Sequence, residues 1–412
     1  MPRRVVITGA SAITPIGVTK ESIWDGLMQG RSGVKSIKDD PLLGEHLRSK
    51  VFGTVTDELT YDFERHHRKT MGPVSFYACH VAKESLDQAG LDQEFIHSGR
   101  MGVAFGSTHG SPSVQRSIYE KFFKGGDNKL KGIGGADYLK SMVHTTAANV
   151  ARMFGITGRI ISSCTACTTS AQSIGFGFES VKFGMQDAML CGGADEYDTT
   201  TVAVFDNLLA CSTAYNDSPE KTPRPFDEKR DGLVVAEGAG AVILEEYEHA
   251  KNRGAVILGE VLGFACGNNG DSLIMPDAAG IERTIRAGLQ NAGIEPQQVD
   301  LVTAHATGTK LGDATEAMAT ASVFGKGPWV VGLKGYMGHS MGSCGVIESI
   351  CSLMMMEHGK VVPTLNLENI DPRCDGIKHP GKIIDDDIKT VVIQNFAFGG
   401  VNTCLVLHSP HQ

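Results

Sequence analysis

The run Gly158-Arg159-Ile160-Ile161 has β-forming character and leads into Ser162-Ser163-Cys164-Thr165-Ala166-Cys167-Thr168-Thr169-Ser170. Ala171, Ile174, Phe178 and Val181 follow at helical spacing. A strand must therefore turn sharply into a helix, with Cys167 at the elbow. Thr168, Thr169 and Ser170 are available to cap the first turn. A thiol there faces the positive end of the helix dipole, which predicts a lowered pKa and a nucleophilic thiolate. Free N–H groups in the first turn predict a seat for an oxyanion. Alone, the stretch leaves three roles open for Cys167: nucleophile, redox partner of Cys164 in a C-x-x-C pair, or inert core thiol. A zinc site needs a second ligand pair at matching spacing, and none is evident, so no metal is expected.

The rest of the chain must supply a scaffold for that elbow. Its 412 residues suffice for two domains or two fused halves. Fifty glycines beside only 21% charged residues fit the tight turns of an α/β enzyme, not a coiled coil or a disordered chain. Ten irregularly spaced cysteines argue for a reducing compartment, so a cytoplasmic location is expected. The opening Met1-Pro2-Arg3-Arg4 leads into too few apolar positions for a secretory signal. No run approaches the ~18 apolar residues of a membrane span. The net charge of −9 disfavours general nucleic-acid binding.

Taken in order, Val5-Val6-Ile7-Thr8-Gly9 reads as a buried strand and residues 19–30 as a helix. Glu64-Arg65-His66-His67-Arg68-Lys69 is the densest basic cluster, either a solvated helix face or a dock for an acidic partner. A helix over 74–90, a strand over 101–106 and the turn Ser107-Thr108-His109-Gly110 come next. A helix over 281–293 and a strand over 300–305 repeat that order, and a small-residue helix start at 338–356 echoes the reactive elbow. Two related halves, residues 1–250 and 251–412, are therefore expected, joined at a polar helix near residue 250. Strand–helix alternation predicts mostly parallel sheets buried on both faces.

Five ordered stretches then resemble the β-ketoacyl-acyl carrier protein synthases, the elongating condensing enzymes. They are the Thr165–Ser170 elbow, Pro223-Arg224-Pro225-Phe226-Asp227 with Arg230-Asp231-Gly232, and His305-Ala306-Thr307-Gly308-Thr309 with Asp313 and Glu316. Lys334-Gly335-Tyr336-Met337-Gly338-His339 and Asn395-Phe396-Ala397-Phe398-Gly399-Gly400-Val401-Asn402 complete the set. The resemblance covers essentially the whole chain. It implies an α/β thiolase-like fold of two pseudo-symmetric αβαβα halves in five α-β-α-β-α layers.

It also implies a division of labour. Cys167 would take the acyl chain as a thioester, with the backbone N–H groups of Cys167 and Phe398 as oxyanion hole. His305 and His339 would hold the enolate oxygen after malonyl-acyl carrier protein loses carbon dioxide. Lys334, paired with Glu316, would set the electrostatics, with Asp313 in support. Phe398 would gate the site, His109 and Phe205 would line the acyl pocket, and Arg65, Arg68 and Lys69 would dock the carrier. No cofactor is implied, since substrates ride on the carrier's phosphopantetheine. The implied assembly is a homodimer, or a heterodimer with a related ketosynthase-like subunit.

Departures from the family pattern carry information. Ala306 and Ala397 stand where glycines are usual, and His109 stands where glycine or an aliphatic residue is usual. Leu209 replaces a carrier-docking arginine, and Thr303 and Gln394 do not match the usual partners of a cation near Glu348. These changes point toward specialised polyketide or polyene chemistry beside fatty-acid synthesis. Three other readings stand next to the synthase. A thiolase would need a second reactive cysteine, for which Cys404 is the candidate in the closing segment. A chain-length partner would lack the nucleophile. A thiol–disulfide module would use Cys164 and Cys167.

Overall fold

The computed structural model describes residues 2–410 except 41, 43–46, 61–62, 127 and 129. Ten of its strands share one sheet: Val5–Ile13 (β1), Met101–Gly106 (β2), Ile160–Ile161 (β3), Ala188–Asp195 (β4), Gly238–Glu246 (β5), Gly259–Asn268 (β6), Leu301–Ala304 (β7), Trp329–Gly332 (β8), Thr390–Ala397 (β9) and Val401–His408 (β10). The helices that matter below are Arg65–Arg68 (α1), Pro73–Ala89 (α2), Thr169–Lys182 (α3), Ala278–Ala292 (α4), Lys310–Phe324 (α5), Lys334–Met337 (α6) and Cys344–His358 (α7).

The sheet runs β8-β7-β9-β10-β6-β1-β5-β4-β2-β3. Cut between β6 and β1, it yields two five-strand units of identical plan. In the first, β3, β2 and β4 run parallel, and then β5 and β1 alternate in direction. In the second, β8, β7 and β9 run parallel, and β10 and β6 alternate. The repeat seen in the sequence is thus a repeat of pairing geometry. The expectation of mostly parallel sheets is corrected: the strands nearest the seam are antiparallel. The loop Phe398–Gly400 is too short for a crossover and closes β9–β10 as a hairpin.

Three apolar clusters separate the layers. α2 packs on one face of the first unit through Val74, Ala78, Val81 and Leu86. α4 and α5 cover the outer face of the second through Ile281, Ile285, Leu289 and Ala317. Between the units lie α3 and α7, where Ile174, Phe178, Val346, Ile347 and Ile350 share one core with strands of both. Five layers in two pseudo-symmetric halves result, as the resemblance implied. The two central helices are nearly all buried, because each must present apolar surface to a sheet and to the other helix. They approach closely at Gly345, where a Cβ would meet Ala171 Cβ at 2.9 Å and Asn395 Oδ1 at 2.8 Å. Both helices point their N-termini at the same place. That place is the site.

Candidate active site

Cys167 lies in the single 3-10 turn Ala166–Thr168 that leads into α3. The elbow is tight enough to force Ala166 to a φ of 48°, a left-handed conformation that alanine rarely takes. Hydrogen bonds hold the turn: Thr169 Oγ1 accepts from Thr165 N–H at 2.9 Å, and Thr168 Oγ1 donates to Thr165 O at 2.8 Å. The expected side-chain caps are replaced by this brace. Thr168 makes no cap bond, and Ser170 Oγ instead accepts the Val346 N–H of α7 at 3.0 Å.

His339 follows Gly338, whose φ is 75°. Its backbone is clamped between Val234 O at 2.7 Å and Ala236 N–H at 2.8 Å. This places His339 Nε2 3.0 Å from Cys167 Sγ. His305 follows β7 and meets His339 edge to face, with ring centres 5.2 Å apart. One ligand atom from each of Cys167, His305 and His339 lies within 4.8 Å of the others, all three residues buried. They sit at the inner end of a cavity of about 540 Å³ whose walls include Phe205, Leu208, Phe396 and Phe398.

The loop carrying His305 is fixed by two carboxylates of α5. Glu316 accepts the N–H groups of His305 and Ala306, each at 2.7 Å, and Asp313 accepts those of Gly308 and Phe226 at 3.0 and 2.9 Å. Both are buried, not a solvated acidic face, and burial pushes Asp313 up to about 6 and Glu316 up to about 8. Ala306, in place of the usual glycine, still adopts a φ of 37° under this clamp. Its methyl needs room: a Cβ at Gly332 would come within 2.9 Å of Ala306 Cβ and 3.0 Å of Pro225 Cβ. Gly332→Ala is expected to cost about 1–3 kcal/mol, read from the midpoint of urea unfolding.

Lys334 corrects the expected pairing. Its Nζ donates to His305 O at 2.6 Å and to Glu348 Oε1, and lies 3.4 Å from His305 Nδ1. Glu316 is turned to the backbone, so Glu348 of α7 is the partner of Lys334. Burial opposes the Lys334 charge, but Glu348 and Cys344 more than offset it and leave the pKa above that of an ordinary lysine. The sequence held one signal for Glu348: it lies nine residues after His339, inside an otherwise apolar helix.

The thiol also departs from expectation. Burial pushes Cys167 up to about 12, with the Lys334 charge opposing, so the resting group is a thiol. Activation by the helix dipole needs a solvated elbow, whereas only 6% of Cys167 is exposed. Burial also drives His305 and His339 well below the usual 6.5, helped by Lys334. A neutral thiol therefore faces a neutral imidazole that can take its proton.

This donor set has the ligand types of a three-ligand zinc site. Its chemistry opposes one. His305 Nδ1 faces the Lys334 ammonium at 3.4 Å and the Asn395 amide at 3.5 Å, both donors, so Nδ1 keeps its lone pair and Nε2 carries the hydrogen. Near Glu348, each mismatched residue has a partner of its own: Thr303 pairs with Ser352 at 2.8 Å, and Gln394 accepts from Thr320 at 3.2 Å.

Other expected residues divide between the cavity and the surface. Phe398 and Phe205 both line the cavity and stack with centres 5.8 Å apart. Ala397 pairs with Val401 in the β9–β10 ladder, where alanine adds no strain. His109 sits exposed on the turn after β2 and is not among the cavity walls, while Asp195 pins Thr108 beside it at 3.0 Å. Arg65, Arg68 and Lys69 are exposed on and just after α1, away from the cavity walls. Leu209, 72% exposed, lies at the cavity mouth with Leu273, Ile274 and Met275. Cys164 is exposed and directs its thiol to Thr108 O at 3.5 Å, while Cys167 faces His339. Cys404 is sealed in β10 against Gly288, far too enclosed for a thiolase's second cysteine.

Fold and site together set a buried thiol beside two imidazoles at the end of a cavity, the equipment of acyl transfer through a thioester. Residues 2–250 match the family model for the beta-ketoacyl synthase N-terminal domain, and residues 258–368 match that for the C-terminal domain. The chain is 35% identical over 407 residues to 3-oxoacyl-[acyl-carrier-protein] synthase 1 of Escherichia coli K12, covering 98% of each chain. A crystal structure of a beta-ketoacyl synthase from Burkholderia phymatum superposes with a TM-score of 0.95 at 39% identity, covering 99% of each chain. The ishigamide ketosynthase/chain length factor superposes with a TM-score of 0.91 at 30% identity, covering 99% of this chain and 100% of that one. The chain belongs to the β-ketoacyl synthase family and is a condensing acyltransferase.

Proposed function

We propose that the protein extends an acyl chain by two carbons through decarboxylative Claisen condensation, with substrates delivered on an acyl carrier protein. Cys167 Sγ attacks the carrier thioester, and His339 Nε2, 3.0 Å away, passes the thiol proton to the departing pantetheine sulfur. The backbone N–H groups of Cys167 and Phe398 steady the oxyanion. Malonyl-acyl carrier protein then binds and releases carbon dioxide. His305, held as the Nε2–H form, donates to the enolate oxygen that appears, joined by His339 once the acylated cysteine lets it adopt its Nε2–H tautomer. The enolate carbon attacks the acyl-Cys167 carbonyl, a carbon–carbon bond forms, the carbon–sulfur bond breaks, and the Cys167 thiolate takes a proton from solvent. The Lys334–Glu348 pair fixes the electrostatics behind His305.

The observation that carries this reading is the gathering of Cys167, His305 and His339 within 4.8 Å at the end of a mostly apolar cavity. A thiol–disulfide module would need neither imidazole nor cavity, and a chain-length partner would need no thiol. Incubation with a panel of acyl-carrier proteins, followed by intact-protein mass spectrometry, tests it directly. A single acyl adduct is expected, lost in Cys167→Ser and kept in Cys164→Ser. An adduct that persists in Cys167→Ser would refute the assignment.

A family partner for the chain itself is also part of the reading. The two-residue strand β3 ends the sheet with Ile160 half exposed, so the edge stays open to a second copy or a related ketosynthase-like subunit. Arg65, Arg68 and Lys69 offer positive charge to an acidic carrier. We place the protein in the cytoplasm, in fatty-acid or specialised polyketide synthesis.

A further inference from the structure

Asn395 is fully buried on β9, three residues before Phe398. Its Nδ2 lies 2.6 Å from Glu348 Oε2, 3.5 Å from His305 Nδ1 and 3.6 Å from Cys344 Sγ. Its Oδ1 is buried with no partner, an arrangement that packing alone would not favour. Turning the amide over would set Oδ1 against the Glu348 carboxylate, so the orientation is fixed by charge. Glu348 is thereby gripped at both oxygens, Oε1 by Lys334 and Oε2 by Asn395.

This grip reaches His305 by two routes. Held in place, Glu348 anchors the Lys334 ammonium, which binds His305 O and faces its Nδ1. The second Asn395 hydrogen faces the same Nδ1 directly. Both routes present donors, and only donors, to that nitrogen. We propose that Asn395 is a positioning residue for the decarboxylating half of the reaction, holding Glu348 and Lys334 so that His305 offers Nε2–H to the malonyl thioester oxygen. The proposal rests on the condensing reading above. It assigns Asn395 no part in acyl loading, where His339 and Cys167 act.

Two variants test it, with acyl loading and carbon dioxide release from malonyl-acyl carrier protein measured separately. Asn395→Leu keeps bulk but removes both donors, and should slow carbon dioxide release at least ~10-fold while loading stays within about threefold. Asn395→Asp keeps the shape and sets a second carboxyl against Glu348, so the two must share a proton at low pH. With that proton shared, the new group can no longer donate to both Glu348 and His305 Nδ1, so carbon dioxide release should again fall at least ~10-fold while loading stays within about threefold.

A purely structural role would lower loading and carbon dioxide release in proportion, and Asn395→Asp reads the same ratio if Asn395→Leu fails to fold. A proportional loss of both half-reactions, or no loss of carbon dioxide release, overturns the proposal. Wild-type protein that neither loads nor decarboxylates would overturn the condensing reading as well, so the two failures are distinguishable.

Discussion

Cys167→Ala is expected to abolish condensation, by at least ~10⁴-fold, while leaving decarboxylation of malonyl-acyl carrier protein measurable. The reason is spatial. Removing Sγ takes away the only atom that bonds to the acyl group, but the donors for the enolate oxygen come from His305 and His339, on other loops. His305→Ala should show the reverse: the acyl adduct still forms, and carbon dioxide release falls by about 10²–10³. Intact-protein mass spectrometry reads the first half and trapped labelled carbon dioxide the second. If both variants lost both halves equally, the partition of roles between thiol and imidazoles would be wrong.

The second large effect concerns the Lys334–Glu348 pair, which is sealed from water with both side chains 2% exposed. Glu348→Ala leaves a buried ammonium whose remaining partners are the His305 carbonyl and ring. A loss of about 3–5 kcal/mol in unfolding free energy is expected, because the stranded charge costs more than the pair contributes. Lys334→Met combined with Glu348→Leu should recover most of that stability without recovering activity. Urea melts alongside carbon dioxide release separate the two outcomes. Recovery of turnover in the double variant would show that the pair serves stability alone.

Much of this site could be read before folding was considered. The elbow residues, the two histidines and the Phe398 loop announce themselves through glycine, small residues and reactive groups in fixed local order. What escaped were relationships across the chain. Glu316 and Glu348 are chemically equal partners for Lys334 on paper, and only the seating of α5 under the His305 loop turns Glu316 to the backbone. The Cys167 thiol was misjudged for a related reason, since its burial depends on α7 closing over α3. The seating of His109 depends on Asp195, a residue of another strand, which holds Ser107 and Thr108 of its turn. Strand direction escaped for a simpler reason: alternation of strands and helices records how often the chain crosses the sheet, not which neighbour each strand finds.

The seam between the two five-strand units has a consequence for how this protein comes to life on the ribosome and how it fails. Cys167 and His339 touch across 172 residues of chain, one contributed by each unit. A nascent chain that has completed its first unit holds the thiol but no base, and nothing in that unit can pre-assemble the reaction. Catalysis is therefore a late event in folding, and it reports docking of the units more sensitively than helix content does. Under mild denaturant, turnover should vanish at the first loosening of α3 from α7, while most of the backbone still counts as native.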